Sequence, residues 1–548
     1  MKAEKCELQN AIRINHRGFL PYAQKRFVLV ENPRECLDFT VIHIDDVKYI
    51  KVFEGKLEKV SEDGSTYYVG DFSHITKNGD YYIEAGGFKS RQFVIYDKAY
   101  DICQRIMLQY FTFQRCGHPL GWNGPCHLDD GYIKETAEHV DLSGGYHQSC
   151  DLRKSPGGVS IGVLGMMNFA LADKSEWGKI LVKDEVRWAC DYFVKTIQKN
   201  GAMYNTLNLP HGWEGREFYQ SPAPSSAQWN VTSILALGYL YFKGTNKTLA
   251  KKYLSSALRS WKFMKSEERS KDVYKHPDKY PMGMDPDFFY AQCKKGETCD
   301  IAYEISVSAN LYRATGENMF LENIKSILPS FIESITDGFI LLRKDEPTRI
   351  VTGICSYSWL MSGILALCDA YELLGDFCNL KSLMENALDE VCKFADKSVW
   401  RDVELLYSEG DMDAQTGHEN KTLRHYMKDA KKYKSYYYQQ DKVIEPTHYG
   451  YLGIFLCRGA RLLGKPEYLR YAQSIVDIFL GGNRLDSSCL HGVGYNHPQH
   501  SAFGQFFPST PFIPGAIGIG YNTIDTYKSS AEFDMPCVGI FMNLLSLL

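Results

Sequence analysis

The chain has 548 residues, with 62 Lys+Arg against 66 Asp+Glu and a formal net charge of −4. That balance excludes the basic stripe a nucleic-acid partner needs, and no run of 18 apolar residues offers a membrane-spanning helix. The 16 cysteines show no regular spacing, and a chain this long buries a large core without a disulfide scaffold.

The first hundred residues predict short strands at Arg26–Val30, Phe39–Ile44, Tyr49–Glu54, Tyr67–Phe72, Asp80–Ala85 and Arg91–Tyr96. Turn signals separate them: Glu31-Asn32-Pro33, Glu62-Asp63-Gly64, Asn78-Gly79-Asp80 and Gly86-Gly87. Strands at this spacing predict an all-β sandwich, with an open sheet packed on the next domain as the alternative. From about Ala99 the period changes to that of helices. Leu380, Leu383, Leu388, Val391 and Phe394 form one apolar stripe, and Ala472, Ile475, Val476 and Phe479 another. Gly244, Gly316, Gly375 and Gly464 each follow such a segment and are expected at helix C-terminal caps. No strand pattern alternates with the helices, so the chain is expected to be mainly α after its β start, a ring of helical hairpins. Long loops at Leu207–Gln228, Lys275–Thr298 and Gly481–Lys528 are expected to gather function at one end.

Three stretches, in order, carry a resemblance. Ile12-Arg13-Ile14-Asn15-His16-Arg17-Gly18-Phe19-Leu20-Pro21 resembles the opening of the immunoglobulin-like module found before many glycoside hydrolase family 9 catalytic domains. Tyr110–Gly117, Cys126-His127-Leu128-Asp129-Asp130 and His139–His147 resemble that family's entry into its catalytic domain. Gly481-Gly482-Asn483-Arg484, His491–His500 and Pro514–Ile517 resemble its final loop. The resemblance implies an immunoglobulin-like β-sandwich over 1–98 and an (α/α)6-barrel catalytic domain over 99–548. It also implies inverting hydrolysis of β-linked glucan-type oligo- or polysaccharides.

Inversion needs two carboxyl groups, one as general acid and one as general base activating water. Gly144-Gly145-Tyr146-His147-Gln148-Ser149-Cys150-Asp151 is similar to the family's base motif, so the resemblance implies Asp151 as base. The motif's first aspartate, which helps hold the water, is replaced by Gln148. Glutamine still hydrogen-bonds water but carries no charge, which opens the alternative of a catalytically weak or inactive glycan-binding protein. Glu532 is implied as the acid, with Asp534 a weaker candidate. The bland alternatives are helix capping for Asp151 and a first-turn, dipole-complementing role for Glu532.

The family places sugar-contacting histidines where His497 and His500 stand, and His491 is a further candidate. Its His-His-Arg run is broken here, since Ser501-Ala502-Phe503 follows His500. Trp213, Tyr219, Trp229, Tyr357 and Trp359 are candidate stacking platforms for pyranose rings, with core packing as the alternative. Cys116, Cys126, His127 and His147 form a Cys₂His₂ set suited to tetrahedral zinc. Some family members hold a structural zinc at matching positions. Calcium is frequent in the family, and Glu409–Asp413 offers oxygens, but no calcium ligand is assigned. No P-loop, dinucleotide fingerprint or Gly-x-Ser-x-Gly elbow occurs, and a lyase on a helical toroid lacks its Tyr/Arg constellation. The expected partner is a carbohydrate, with neither nucleic acid nor membrane, and oligomeric state is left open. Without an apolar leader after Met1, the chain is expected to be cytoplasmic as it stands, or secreted if a leader was removed.

Overall fold

The computed structural model describes residues 9–34, 36–62, 64–121, 124–133, 136–149, 152–173, 175–206, 218–220, 223, 225–270, 295–296, 298–336, 339–340, 363–402, 446–498, 512–518 and 533–548. The chain opens with ten strands, β1 (Ile12–Arg13), β2 (Gly18–Phe19), β3 (Arg26–Leu29), β4 (Asp38–Asp45), β5 (Lys48–Lys56), β6 (Glu58–Glu62), β7 (Ser65–Asp71), β8 (Gly79–Ala85), β9 (Phe88–Lys89) and β10 (Phe93–Ile95). They form two sheets, ordered β1-β3-β7-β6 and β2-β10-β8-β4-β5, with β9 beside β8. Alternation along each strand turns Phe27, Leu29, Phe39, Val41, Tyr81, Ile83, Phe93 and Ile95 into one shared core. All six expected strands are present within a residue or two of their predicted limits. Strand β6 was not anticipated, because Glu58-Lys59-Val60-Ser61-Glu62 is polar and takes its pairing from β7.

Twelve α-helices are described after the sandwich. They are α1 (Asp101–Phe113), α2 (Pro156–Ala172), α3 (Gly178–Thr196), α4 (Ser225–Phe242), α5 (Lys247–Lys265), α6 (Thr298–Thr315), α7 (Asn318–Ile332), α8 (Ile364–Leu374), α9 (Leu380–Ala395), α10 (Pro446–Leu463), α11 (Leu469–Phe479) and α12 (Met535–Leu545). Their surfaces alternate in kind. Along α2, α4, α10 and α12 burial runs almost all round, as expected of helices enclosed on every side. The intervening α3, α5, α7 and α9 bury one stripe, whereas α11 is buried throughout from Tyr471 to Phe479, with Asp477 bonded to Asn15 of the sandwich. Packing follows from this. The inner helices meet in sequence, α2 on α4, α4 on α6, α6 on α8, α8 on α10, α10 on α12, and α12 closes back on α2. The outer helices back them, and the result is an (α/α)6 barrel.

The closure between α2 and α12 is the tightest contact of the ring. A Cβ on Gly539 would lie 1.9 Å from the Gly162 carbonyl oxygen, and one on Gly165 would lie 2.2 Å from the Gly539 oxygen. Only glycine admits this approach of two backbones. Three of the four expected capping glycines adopt the left-handed conformation, Gly316 at φ 73°, Gly375 at 62° and Gly464 at 68°. Gly244 does not. There the α4–α5 turn closes through the Asn246 amide on the Phe242 carbonyl, and Asn246 caps α5. The loop expected over Leu207–Gln228 also ends earlier, since α4 begins at Ser225.

The sandwich is bonded to the barrel. Asn15 Nδ2 donates to Asp477 Oδ1 (2.9 Å), Arg26 Nη2 to the Val399 carbonyl (2.8 Å), and Arg484 Nη2 pairs with Glu62 (2.7 Å). Val28 packs with Val399 and Trp400, and Tyr67 meets the Trp400 ring edge-on at 5.6 Å.

Candidate active site and metal centre

The extended segment Gly145–Ser149 organises the site. At its first end it pairs with the exit of α1. Arg115 and Tyr146 form an antiparallel bridge, the Cys116 amide donates to the Gly145 carbonyl (2.9 Å), and the His147 amide to that of Gln114 (2.8 Å). At its second end it pairs with the lead-in to α12. Ser149 bridges Asp534, and the Met535 amide donates to the Gln148 carbonyl (2.9 Å). Asp534 is tied in turn to Ile517 through its amide (3.0 Å). Backbone pairing therefore joins residues two positions before Asp151 to residues two positions after Glu532. Asp151 and Glu532 themselves lie outside the described residues. The N-cap of α2 is Ser155, not Asp151, and α12 starts at Met535 after the N-cap Asp534, so position 532 precedes its first turn.

Charge networks buttress the segment from behind. Glu185 accepts from Arg115 Nε (3.1 Å) and Nη2 (2.8 Å), from Thr112 (2.9 Å) and from the Tyr146 hydroxyl (2.7 Å). Lys154 is fully buried, with Nζ 3.0 Å from Asp130 Oδ2 and bonded to the Leu142 carbonyl. Tyr219 donates its hydroxyl to the same Asp130 oxygen at 3.4 Å. A buried ion pair is costly to break on one side, so this contact holds the residues after Asp151 against the 130–142 loop. Neither Lys154 nor Glu185 was singled out by sequence, because single charges show no pattern until the fold supplies the partner.

Gln148 is nearly buried. Its Nε2 donates to Asp534 Oδ1 at 3.4 Å, and its side chain lies over Gly158, where a Cβ would fall 1.9 Å from Oε1. The residue expected to hold water thus directs one of its two amide N–H donors at a carboxylate.

Cys116, Cys126, His127 and His147 come together, each with a ligand atom within 4.8 Å of the others. Cys126 Sγ lies 3.0 Å from His147 Nε2. The paired thiols split in acidity. Hydrogen bonding from Cys116, then from His127 and His147, holds Cys126 far below the usual thiol range, while burial pushes Cys116 up. His127 is 2% exposed, and neither of its ring nitrogens meets a hydrogen-bond partner of ordinary geometry. Its backbone sits at φ 53°, a strained conformation for a non-glycine residue that surrounding structure must maintain. Two thiols, two imidazoles and an unsatisfied buried ring fit a metal ion of the soft-to-borderline class.

Of the candidate sugar contacts, His497 is half-buried. Its Nδ1 donates to the Ser488 carbonyl (3.1 Å), which leaves Nε2 as an acceptor, and its ring stacks on His491 at 5.2 Å. Burial lowers its pKa, favouring the neutral imidazole. Phe512, which no motif singled out, is 57% exposed and lies 5.9 Å from His497. Tyr219 and Trp229 are corrected as stacking platforms. Both are fully buried, and Trp229 Nε1 donates to Asp300 (2.8 Å), so they serve the core. His500, Trp213, Tyr357 and Trp359 lie outside the described residues, as does Glu409–Asp413.

Comparison with known proteins matches residues 100–505 to the family model for glycosyl hydrolase family 9 and residues 7–90 to that for a cellulase N-terminal ig-like domain. A cellodextrinase of Butyrivibrio fibrisolvens is 26% identical over 351 residues, which cover 58% of this chain and 60% of that relative's length. Among solved structures, a metagenome-derived family 9 endoglucanase superposes with a TM-score of 0.69 at 18% identity, covering 98% of each chain. A Zn-binding triple mutant of a family 9 endoglucanase gives 0.67 at 16% identity, covering 96% of this chain and 99% of that one.

Proposed function

The chain belongs to glycosyl hydrolase family 9, and from that premise we propose that it hydrolyses β-linked glucan-type chains with inversion. Asp151 is the general base and Glu532 the general acid. The observation that supports this reading is the Ser149–Asp534 bridge, which pairs the chain just before Asp151 with the chain just after Glu532, where α2 and α12 begin. Inversion requires the two groups to face each other across a gap of roughly 6.5–9.5 Å that admits a water. The base takes a proton from that water while the acid protonates the departing oxygen. His497 and His500 contact the sugar at the cleaved bond. The catalytic domain spans 99–548 and the immunoglobulin-like domain 1–98. Relatives named as a cellodextrinase and endoglucanases support a β-glucan as substrate. Among the described residues no helix is long and apolar enough to cross a membrane.

Zinc is the metal we assign to Cys116, Cys126, His127 and His147. Four protein ligands leave no open position, so its contribution is structural: it ties the exit of α1 to the Gly145–Ser149 segment. A second reading, a catalytically weak glycan binder, is raised by the Gln148 replacement alone, and the relatives named as a cellodextrinase and endoglucanases do not favour it. A screen of β-linked oligosaccharides on wild type, Asp151→Asn, Glu532→Gln and Gln148→Asp separates the two. The proposal expects hydrolysis by wild type and its loss, by about a thousandfold or more, in the first two variants. Binding without cleavage by wild type, together with a gain of cleavage in Gln148→Asp, establishes the second reading.

A further inference from the structure

His16 belongs to the β-sandwich, yet its ring is surrounded by the loop that carries His497. The imidazole is fully buried. A Cβ on Gly481 would lie 2.3 Å from its Cε1, and one on Gly494 would lie 3.0 Å from its Nδ1, so both ends of the loop are shaped to receive it. Both glycines adopt positive φ, 103° and 89°. The Tyr495 amide donates to His16 Nδ1 (3.2 Å), which makes that nitrogen the acceptor and leaves the proton on Nε2. Nε2 donates to Asp486 Oδ1 at 2.9 Å, and Asp486, itself fully buried, also receives Arg91 Nη2 (2.8 Å) from the sandwich. The Tyr495 ring meets the imidazole edge-on at 5.5 Å.

A short path of bonds leads on to the sugar contact. The Tyr495 carbonyl accepts from the Ser488 amide (3.0 Å), Asn496 Nδ2 donates to the Asp486 carbonyl (2.8 Å), and the Ser488 carbonyl receives His497 Nδ1 (3.1 Å). We propose that His16 is a positioning residue for substrate. As a plug from the β-sandwich, it sets the Gly481–His497 loop and thereby the orientation of the His497 ring. The sandwich then does more than add buried surface. It completes a subsite. This inference rests on the reading of His497 as a sugar contact.

The test compares His16→Ala, His16→Gln, Arg26→Met and His497→Ala. Arg26 bonds the same two domains at Val399, which is linked to the loop through Glu62 and Arg484 rather than through His16, Ser488 or Tyr495. Each variant is measured for thermal stability, for kcat/KM on a β-1,4-linked glucose oligosaccharide, and for the affinity of that oligosaccharide. Misplacement of a contact by about 1 Å costs up to about a hundredfold. Loss of about tenfold or more in kcat/KM or affinity is therefore expected for His16→Ala and His497→Ala. Arg26→Met is expected to lose stability only. Glutamine supplies one acceptor and one donor, so His16→Gln should recover part of the loss. If His16→Ala does not fold, His16→Gln carries the comparison, with amide exchange of Tyr495 as its structural readout. The proposal is overturned if His16 variants keep wild-type parameters while His497→Ala loses them, or if Arg26→Met loses them equally. If His497→Ala is itself indistinguishable from wild type, or wild type neither cleaves nor binds the oligosaccharide, the subsite reading fails and this inference with it.

Discussion

At the scale of single residues, the chemistry of the site depends on a few contacts that the fold assembles from distant positions. Gln148 and Asp534 are one. Replacing the amide by a carboxylate of the same shape, Gln148→Glu, would set two carboxylates against each other where one now accepts a hydrogen bond. Like charges that close raise the pKa of the pair, so the folded state would hold a proton that the unfolded chain releases. The expected outcome is a loss of about 1–3 kcal/mol at pH 7 that shrinks as pH falls below about 5, read by urea unfolding at the two pH values. The metal ligands are another. Cys126→Ser should reduce bound zinc from about one per chain to near zero, read by elemental analysis of purified protein, and chelation of wild type should lower Tm in parallel. The four candidate ligands were legible through the family resemblance, since the spacing of Cys116, Cys126-His127 and His147 is not that of an ordinary zinc finger. Lys154 and Asp130 were not, because each alone is an ordinary surface residue type and only burial reveals the pair.

At the scale of elements, helical periodicity made two helices visible, and the stripes read at Leu380–Phe394 and Ala472–Phe479 are buried on α9 and α11 except for the half-buried Leu383. What the periodicity could not show was intimacy. Glycines inside α2 and α12 weaken a helix on its own, and their purpose emerges only where the two backbones touch. Gly539→Val should cost about 3 kcal/mol, because its side chain would meet the Gly162 carbonyl rather than a movable side chain. A fall in the urea midpoint measures it, with the slope unchanged. Helix α11 carries a titratable contact as well. Burial raises Asp477 to about 7 even though Asn15 and Gln473 donate to it. Between the unfolded value near 4 and about 7 the folded state binds the extra proton, so stability falls as pH rises through that window. Asp477→Asn should flatten this slope, and thermal unfolding at pH 5 and pH 8 reads the difference.

At the scale of the whole molecule, the alternation of all-buried and one-sided helices closes a ring, and the strand-rich first hundred residues fold into the sandwich their turns announced. The joining of the two was the illegible part. Asn15–Asp477 and His16–Asp486 connect residues more than four hundred positions apart, and no local pattern marks them. These bonds fasten the sandwich to α11 and to the loop that follows it. The ring in turn brings the Gly145–Ser149 segment beside the lead-in to α12, and the two proposed carboxylates follow the one in sequence and precede the other. The most direct test of that arrangement is the anomer released when wild-type protein cleaves a β-1,4-linked glucose oligosaccharide, followed by proton NMR from the first minutes. The account predicts that the new reducing end appears first as the α-anomer. A first product in the β configuration would contradict it.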